Sequence, residues 1–453
     1  MQTVLVANRG EIAVRIIRSC KKLGLRSVAV YSENDERSLP VRLADESVCI
    51  GPRPADKSYL NIDAILAAAK AYRADLLHPG VGFLSENGAF AEACREAGVR
   101  LIGPAPETMR VLGDKEAARK TMIANGFPVV PGSDGTVESL KEAVLAAKMI
   151  GYPLMIKASK GGGGKGIRIV EDASTLEREF PLVRREAELA FGDGSVYLEA
   201  YLPEARHIEV QILADLHGTV LHLGTRECTL QRKNQKLIEE APAANVAAGT
   251  LAAIEQTAVE IARAVGYQNA GTVEFLLTRD GRFFFMEMNA RIQVEHPVTE
   301  SIFGLDLVKA QIQVALGHHI RILQENLIPR GHAIECRINA ECPEENFRPS
   351  PGVIRGMRLP GGNGIRVDSG YAAGDEISPY YDSMVLKLIA YADEREEAIR
   401  LSCAALNELG IDGIEHNANL AWAMLNESDF QTGNVHTKWI EQQFLPRYLG
   451  RLP

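Results

Sequence analysis

Apolar residues recur along this chain with two periods, and the places where polar residues interrupt them carry most of the information. Thr3–Ala7 (TVLVA) is a short apolar run that predicts a buried strand. After Asn8-Arg9-Gly10, the spacing of Ile12, Ile16, Ile17 and Cys20 predicts a helix over Glu11–Leu23, ended by Gly24. Ser27–Tyr31 (SVAVY) is the next strand, so the opening is a βαβ unit. Strand and helix patterns alternate as far as Ile102, which predicts a doubly wound parallel α/β sheet. The first turn holds one glycine and does not match a dinucleotide fingerprint. A second turn, His78–Asn87 (HPGVGFLSEN), follows the strand Asp75–His78, where such sheets tend to bind ligands. His78 is equally compatible with a structural loop histidine and with a ligand contact.

Further along, Gly113-Asp114-Lys115 opens a helix over Glu116–Asn125, and Gly126, Pro128 and Pro131 then break the chain at an expected hinge. Pro153–Ser159 and Ile167–Val170 read as strands around Lys160-Gly161-Gly162-Gly163-Gly164-Lys165-Gly166. Four consecutive glycines let backbone N–H groups approach a phosphate closely. A strand follows where a P-loop needs a helix, so the expected element is a flap over phosphates, with a flexible hairpin tip as the plain alternative. Lys157 and Lys165, on either side of the glycines, favour the phosphate reading. Val196–Leu202, Ile208–Leu213 and Val220–Gly224 read as strands, and Leu251–Val265 as a helix. Arg226–Lys236 (RECTLQRKNQK) is dense in polar side chains. Arg232, Lys233 and Lys236 suit a cationic wall for an anionic substrate, with a solvated loop as the plain alternative. Leu305–Leu316 reads as an amphipathic helix, Gly361–Gly364 and Ser378–Lys387 as parts of β-rich segments, and Glu394–Leu409 as a helix before two short closing helices. In His332–Ala340, Glu335, Arg337 and Asn339 share one strand face, which suits either a salt bridge or a carboxylate or enolate partner.

The sharpest departure from a simple apolar pattern is Phe283–Glu300 (FFFMEMNARIQVEHPVTE). It begins as a buried strand, yet Glu287, Asn289, Arg291, Gln293 and Glu295 occupy alternate positions, with Phe284, Met286 and Met288 expected on the other face. Strict alternation is expected to end near Asn289. Thr272–Thr278 (TVEFLLT) precedes it, and Asp280-Gly281 signals a two-residue hairpin turn. Counting outward from Arg279 opposite Arg282 sets Glu274 across from Glu287. Two carboxylates roughly 5 Å apart at Cβ repel each other unless a cation lies between them. With the amide oxygen of Asn289 they make a hard oxygen set of the kind Mg²⁺ prefers. Two solvated glutamates on an open sheet face are the plain alternative.

Composition narrows the class. The 453 residues carry a net charge of −9, with 46% hydrophobic content, and no basic tract or aromatic-basic interleaving is present. Nucleic acid is therefore not expected as a partner. No apolar run approaches the roughly 20 residues that span a bilayer, and Met1–Ala7 is already a strand rather than a leader, so no membrane association and a cytoplasmic location are expected. The seven cysteines are scattered without a C-x-x-C, as reduced thiols would be. Cys228 lies in a polar motif that could make it reactive, and an inert buried thiol is the favoured reading.

Taken together these motifs resemble the biotin carboxylase subunit of biotin-dependent carboxylases, within the ATP-grasp superfamily. The match runs nearly end to end through ANRGEIA at 7–13, HPGVGFLSEN at 78–87, GDK at 113–115, the Gly-rich loop, QRKNQK at 231–236, EMNARIQVEHPVTE at 287–300, ECRINAE at 335–341 and YYDSM at 380–384. The resemblance implies three parts: a Rossmann-like domain over 1–113, linker helices and an ATP-grasp lid over 114–202, and over 203–453 an ATP-grasp core with a C-terminal mixed β-sheet and helices. It places ATP against Lys115, Lys157, Gly161, Gly162, Gly163, Gly164, Glu199, Leu202, His207, Gln231 and Asn234. It assigns Glu274 and Glu287, with Asn289 beside them, to two Mg²⁺ or Mn²⁺ ions. Lys236, Arg291, Gln293, Val294 and Glu295 form the implied bicarbonate set, Glu295 the general base, and Arg337 the partner of a biotin enolate.

The implied reaction is ATP- and bicarbonate-dependent carboxylation of biotin on a separate biotin carboxyl carrier protein, through carboxyphosphate. The implied partners are that carrier, carboxyltransferase subunits and a second copy of the chain. Acetyl-CoA carboxylase, making malonyl-CoA for fatty acid synthesis, is the expected host. A propionyl-CoA, pyruvate or 2-oxoglutarate carboxylase, another ATP-grasp ligase and a non-catalytic ATP-binding subunit are the alternatives. Four positions depart from the family pattern: Val81 for the usual Tyr, Asn234 for His, Ala200 for Lys and Lys160 for Gly.

Overall fold

The computed structural model of the protein describes residues 1–159 and 166–450. The expected glycine flap, Gly161–Gly164 with Lys160 and Lys165, lies outside them. The N-terminal strands β1 (Thr3–Val6), β2 (Arg26–Ser32), β3 (Glu46–Gly51), β4 (Leu76–His78) and β5 (Arg100–Leu101) form one parallel sheet in the order β3-β2-β1-β4-β5. Helix α1 (Gly10–Lys22) buries Ile12, Ile16, Ile17 and Cys20, the residues whose spacing predicts it. At the mouth of this sheet Asn8 donates from Nδ2 to the carbonyls of Pro79 and Val81, at 2.6 and 2.9 Å. Gly80 has φ +68°, and a Cβ there would come within 2.7 Å of the Asn8 side chain, so this close approach requires glycine.

The second unit is an antiparallel three-stranded sheet of β6 (Leu154–Ala158), β7 (Ile167–Val170) and β8 (Val196–Ala200), ordered β7-β6-β8. Helices Leu140–Ile150 and Ala173–Phe191 accompany it, and Ala143, Ala147, Leu176, Phe180 and Val183 join Leu154, Ile156 and Leu198 in its core. The longer helix carries Pro181 in its interior, which masks it from a helix-period reading.

The largest sheet is antiparallel throughout and has eight strands. Six are β9 (Arg206–Ala214), β10 (Val220–Arg232), β11 (Gln235–Ala241), β12 (Asn269–Leu277), β13 (Phe283–Asn289) and β14 (His332–Asn339). They run β13-β12-β9-β10-β11-β14, followed by Met384–Ala392 and Ile365–Ser369. The polar stretch 226–236 is therefore not a loop. It is the second half of β10, a two-residue turn at Lys233-Asn234 with φ of +47° and +64°, and the start of β11. The sequence pattern hides this because its polar side chains are buried: Arg226 exposes 0% of its surface, and Glu227, Thr229 and Gln231 are also buried.

The hairpin that pairs Glu274 with Glu287 also differs from the count that predicts it. Thr278 N–H donates to the Arg282 carbonyl at 2.8 Å and Gly281 has φ +82°, so the loop is the three residues Arg279–Gly281. This moves the register by one residue, and a bulge at Met286 moves it back. Phe275 pairs with Phe285, yet Glu274 still pairs with Glu287. The bulge also overturns the expected alternation: Phe285 and Met288 enter the core while Met286 is exposed. β13 ends at Asn289, as the pattern indicates.

Charged contacts tie the units together behind the sheet. Arg15 of α1 reaches Glu300 and Asp306, each at 2.6 Å, and Glu11 lies 3.2 Å from the buried Lys387. Four short helical pieces, rather than two, close the chain at Ala418–Leu425, Ser428–Gln431, Ile440–Phe444 and Leu445–Leu449. The seven cysteines are all free, and no helix among the described residues is long and apolar enough to cross a membrane.

Candidate functional site

A cleft of about 1320 Å³ opens between the three-stranded sheet and the polar face of the eight-stranded sheet. Its upper wall brings Lys157 of β6 against Glu199 of β8, 2.5 Å apart, with Arg119 at 3.5 Å from the same carboxylate. Leu202, His207 and Gln231 line the middle, and Asn234 stands at the rim on the β10–β11 turn. Lys115, at the start of the helix Lys115–Ala124, lies 4.0 Å from Glu287. The floor is lined by Glu274, Glu287, Asn289, Arg291, Gln293, Val294, Lys236 and Arg337.

Two of the predicted residues stand elsewhere. His78 is buried at the end of β4, outside the cleft lining; its Nδ1 accepts from Gly80 N–H at 3.1 Å, and burial pushes its pKa down to about 3. That is the structural alternative for this histidine. Glu295 is 0% exposed and sits one layer behind the cleft wall, reached through Lys236 and Arg337.

The acidic pair has unequal environments. Glu274 Oε1 accepts from Asn289 Nδ2 and Gln293 Nε2, both at 2.8 Å, and lies 3.4 Å from Lys236 Nζ; its Oε2 is 3.1 Å from His207 Nε2. Burial alone would raise its pKa, but Lys236 and His207 hold it down at about 2. Glu287 is 41% exposed, and desolvation together with Glu274 raises its pKa. A divalent cation suits this set: it relieves the repulsion that raises Glu287, and Glu287 is the carboxylate left open toward the cleft. Asn289 is less available than its position suggests, since its Oδ1 already accepts from Arg291 Nη2 at 3.0 Å. Arg291 also reaches Glu86 Oε2 at 2.9 Å and Gln293 Oε1 at 3.0 Å, so its guanidinium is held rigidly across the floor.

Behind the floor, Lys236 Nζ donates to Glu295 Oε1 at 2.5 Å and to Glu209 Oε2 at 2.6 Å. Arg337 Nη2 donates to Glu295 Oε2 at 2.9 Å and its Nε to Glu239 Oε1 at 2.5 Å. Burial would raise the pKa of Glu295, but Lys236, Arg337 and Arg226 drive it well below the carboxylate range. Burial also disfavours the Lys236 ammonium, and the carboxylates Glu209, Glu274 and Glu295 more than reverse that. The arrangement is a preorganised anion site: two cations and an amide-rich floor, currently satisfied by the protein's own carboxylates.

Three segments match family models: residues 1–109 "Biotin carboxylase, N-terminal domain", residues 114–323 "Carbamoyl-phosphate synthase L chain, ATP binding domain" and residues 335–442 "Biotin carboxylase C-terminal domain". The "Biotin carboxylase" of Nostoc sp. is 48% identical over 97% of this chain and 98% of its own. The chain belongs to the biotin carboxylase family. Among solved structures, the biotin carboxylase domain dimer of Hydrogenobacter thermophilus 2-oxoglutarate carboxylase, in complex with MgADP, ADP and bicarbonate, superposes with TM-score 0.95. It is 44% identical, covering all of this chain and 99% of that one. The biotin carboxylase subunit of a pyruvate carboxylase superposes with TM-score 0.86 at 46% identity, covering all of both chains.

In this member of the biotin carboxylase family, several residues around the site carry no role in the sequence reading: Glu86, Glu209, Arg226, Cys228 and Glu239. Arg226 joins Glu209, Gln211 (2.7 Å), Thr272 (3.0 Å) and Thr299 (3.0 Å). Glu209 and Gln211 alternate with apolar residues in the strand Ile208–Leu213, and the sheet buries both side chains wholly. Cys228 Sγ lies 3.8 Å from Glu295 Oε1 and burial pushes its pKa well up, in line with an inert thiol. Of the departures from the family pattern, Val81 lines the cleft, and Asn234 occupies a left-handed backbone position that Asn tolerates well. Ala200 ends β8.

Proposed function

We propose that the chain is an ATP-dependent biotin carboxylase that makes carboxybiotin from bicarbonate. The observation that carries this reading is the buried Lys236–Glu295–Arg337 arrangement set directly behind the Glu274–Glu287 floor. Lys115 and Lys157 would hold the phosphates of ATP, with Glu199, Leu202, His207, Gln231 and Asn234 as the nucleotide wall; that all of them line the one cleft supports this. Glu274 and Glu287 would hold Mg²⁺ or Mn²⁺, which when bound neutralises charge on the transferring phosphoryl group. Arg291, Gln293 and Lys236 bind bicarbonate. As the incoming anion takes a share of Lys236, Glu295 loses part of the charge that depresses its pKa and becomes a better base. Glu295 then accepts the bicarbonate proton as the bicarbonate oxygen attacks the γ-phosphorus and ADP leaves. Carboxyphosphate breaks down to CO₂ and phosphate, the phosphate takes the ureido proton of biotin, and Arg337 stabilises the enolate until it meets CO₂.

ATP hydrolysis measured with and without bicarbonate and free biotin tests this. Hydrolysis should require bicarbonate and rise with biotin; turnover indifferent to both would sink the reading.

The proposed division of labour is a Rossmann-like domain over 1–113, a lid with its linker helices over 114–202, and the core with the C-terminal part over 203–453. The proposed setting is cytoplasmic, with a homodimer serving a biotin carboxyl carrier protein and carboxyltransferase subunits of acetyl-CoA carboxylase. The dimeric arrangement of the Hydrogenobacter domain supports the dimer, and light scattering on the purified chain tests it. The acceptor is tested by co-purification: a carboxyltransferase selective for pyruvate or 2-oxoglutarate would overturn acetyl-CoA.

A further inference from the structure

Two carboxylates behind the site are used by none of these steps. Glu239 of β11 and Glu335 of β14 are direct partners across an antiparallel pair, so their side chains leave the same sheet face with Cβ atoms roughly 5 Å apart. Both are fully buried. Glu239 Oε1 accepts from Arg337, but Glu239 Oε2 and both oxygens of Glu335 have no hydrogen-bond partner. Two full anions placed this way would repel each other and leave three buried acceptors unsatisfied, a costly arrangement.

The charged surroundings point to what relieves it. Lys236 stands on β11 with Glu239, Arg337 and the Cys336 thiol on β14 with Glu335, and Lys387 on the neighbouring strand Met384–Ala392. Glu295 and His296 follow the cleft floor, Glu11 comes from α1, and Glu209, Arg226 and Cys228 come from β9 and β10. Around the pair the cations Arg226, Lys236, Arg337 and Lys387 face the carboxylates Glu11, Glu209, Glu239, Glu295 and Glu335, with Asp368 and its partner Arg366 beside Lys387; of these cations Lys236 and Arg337 reach the cleft. Glu274, which also approaches Lys236, has His207 and faces the cleft. One retained proton would remove the repulsion between Glu239 and Glu335 and give an unpartnered oxygen a hydrogen to accept. Burial raises both members of the pair, Glu239 to about 7 and Glu335 well above its usual value.

We propose that Glu239 and Glu335 hold one proton between them and act as a positioning pair for Arg337, setting how firmly Arg337 grips Glu295. The proton stays on a carboxyl of the pair and no bond to substrate forms or breaks there. With one charge, the pair shares the guanidinium with Glu295. When the proton leaves to solvent at higher pH, the pair carries two charges and draws Arg337 onto Glu239, away from Glu295 and from the biotin enolate. This rests on the role of Arg337 proposed above.

Infrared difference spectroscopy on the full-length protein, comparing the parent with Glu335→Gln and Glu239→Gln, tests the pair without reference to catalysis. The parent should show a protonated-carboxyl C=O band that shifts in D₂O and is lost in Glu335→Gln. Glu335→Gln fixes the pair at one charge, so its kcat for free-biotin carboxylation at pH 7 should stay within about threefold and its alkaline limb should move up by about one pH unit. Glu239→Gln should lower that kcat by about tenfold or more with the KM for ATP unchanged. Absence of the band, or an alkaline limb in Glu335→Gln that superposes on the parent's, overturns the proposal. If Glu239→Gln does not fold, Glu335→Gln supplies both readouts. A parent protein with the band but no bicarbonate-dependent turnover would fail the proposed function and leave the pair standing.

Discussion

Replacing Glu295 by glutamine removes one negative charge and one proton acceptor while keeping the side chain's shape. The neighbouring groups indicate how much else is lost. Lys236 keeps Glu209 at 2.6 Å and Arg337 keeps Glu239 at 2.5 Å, so neither cation is left buried without a counter-ion. The amide oxygen of glutamine can accept from one of the two donors, and its NH₂ must then face the other. Stability should therefore fall by about 1–3 kcal/mol, the scale of one weakened charge-assisted contact, rather than by a full unpaired charge. Glu295 does not line the cleft and is wholly buried, so ATP affinity should change by less than about threefold. Loss of a positioned general base slows turnover by about 10²–10⁴-fold, equivalent to about 3–5 kcal/mol in the barrier. The assay is carboxylation of free biotin and bicarbonate-dependent ADP release at saturating ATP, with ATP affinity measured in parallel by calorimetry and unfolding by urea titration. Turnover within tenfold of the parent would rule out Glu295 as the base. A loss of ATP affinity as large as the loss of turnover would show that the residue holds the nucleotide wall and not the proton.

Glu287→Gln removes the more open carboxylate of the acidic pair and should raise the Mg²⁺ concentration for half-maximal ATP hydrolysis by about tenfold or more; an unchanged Mg²⁺ titration takes Glu287 out of the metal set. Glu86→Gln loosens the contact to Arg291 and should raise the KM for bicarbonate by about tenfold while leaving kcat near the parent value, which steady-state kinetics at varied bicarbonate reads directly. Glu240 sits against His332 at 2.6 Å and Arg395 at 2.7 Å; burial alone would raise it, but these partners hold it at about 2. A depressed carboxylate contributes stability above its unfolded pKa, about 4.3, and loses it as pH falls through the folded value. Glu240→Gln should therefore unfold about 3 kcal/mol more easily in urea at pH 7. The deficit should shrink between pH 4 and 2, and one that is constant with pH would show that packing rather than charge is lost.

The elements that one-dimensional pattern reveals are those whose apolar residues are continuous. β1 and α1 follow the spacing of Val4, Leu5, Val6, Ile12, Ile16 and Ile17, and all of these are core. The glutamate pair also follows, although by two offsets that cancel: a turn one residue longer than Asp280-Gly281 suggests, and a bulge at Met286. Neither offset has a local signature strong enough to read. A G1-type loop and a two-residue turn share the Asp-Gly signal, and nothing in FFFME marks where a ladder skips. The stretch 226–236 fails for a different reason. Hydropathy assigns Arg and Glu to solvent, but β10 buries Arg226 against Glu209, Gln211, Thr272 and Thr299, partners contributed by three other parts of the chain. Only the folded sheet assembles them.

That burial is also what makes the site usable. A charge in water interacts weakly with another at 4 Å, and the same pair inside the protein interacts several times more strongly. Such a pair is tolerated only where each group has a partner. Along the β9–β10–β11–β14 face the groups nearest the cleft meet that condition: Glu209 is shared by Arg226 and Lys236, Glu295 by Lys236 and Arg337, and Arg337 by Glu295 and Glu239, whereas Glu335 behind them does not. Every link is bidentate or shared, so an incoming anion displaces half of a contact and not a whole one. Glu295 is held well below the carboxylate range while it is gripped on both sides, and in the proposed reaction its basicity would rise as Lys236 turns to bicarbonate. The chain thus keeps its proposed base inactive until bicarbonate arrives. Substituting Lys236 by methionine should separate the two effects, with bicarbonate affinity falling and the remaining grip of Arg337 still holding Glu295 deprotonated.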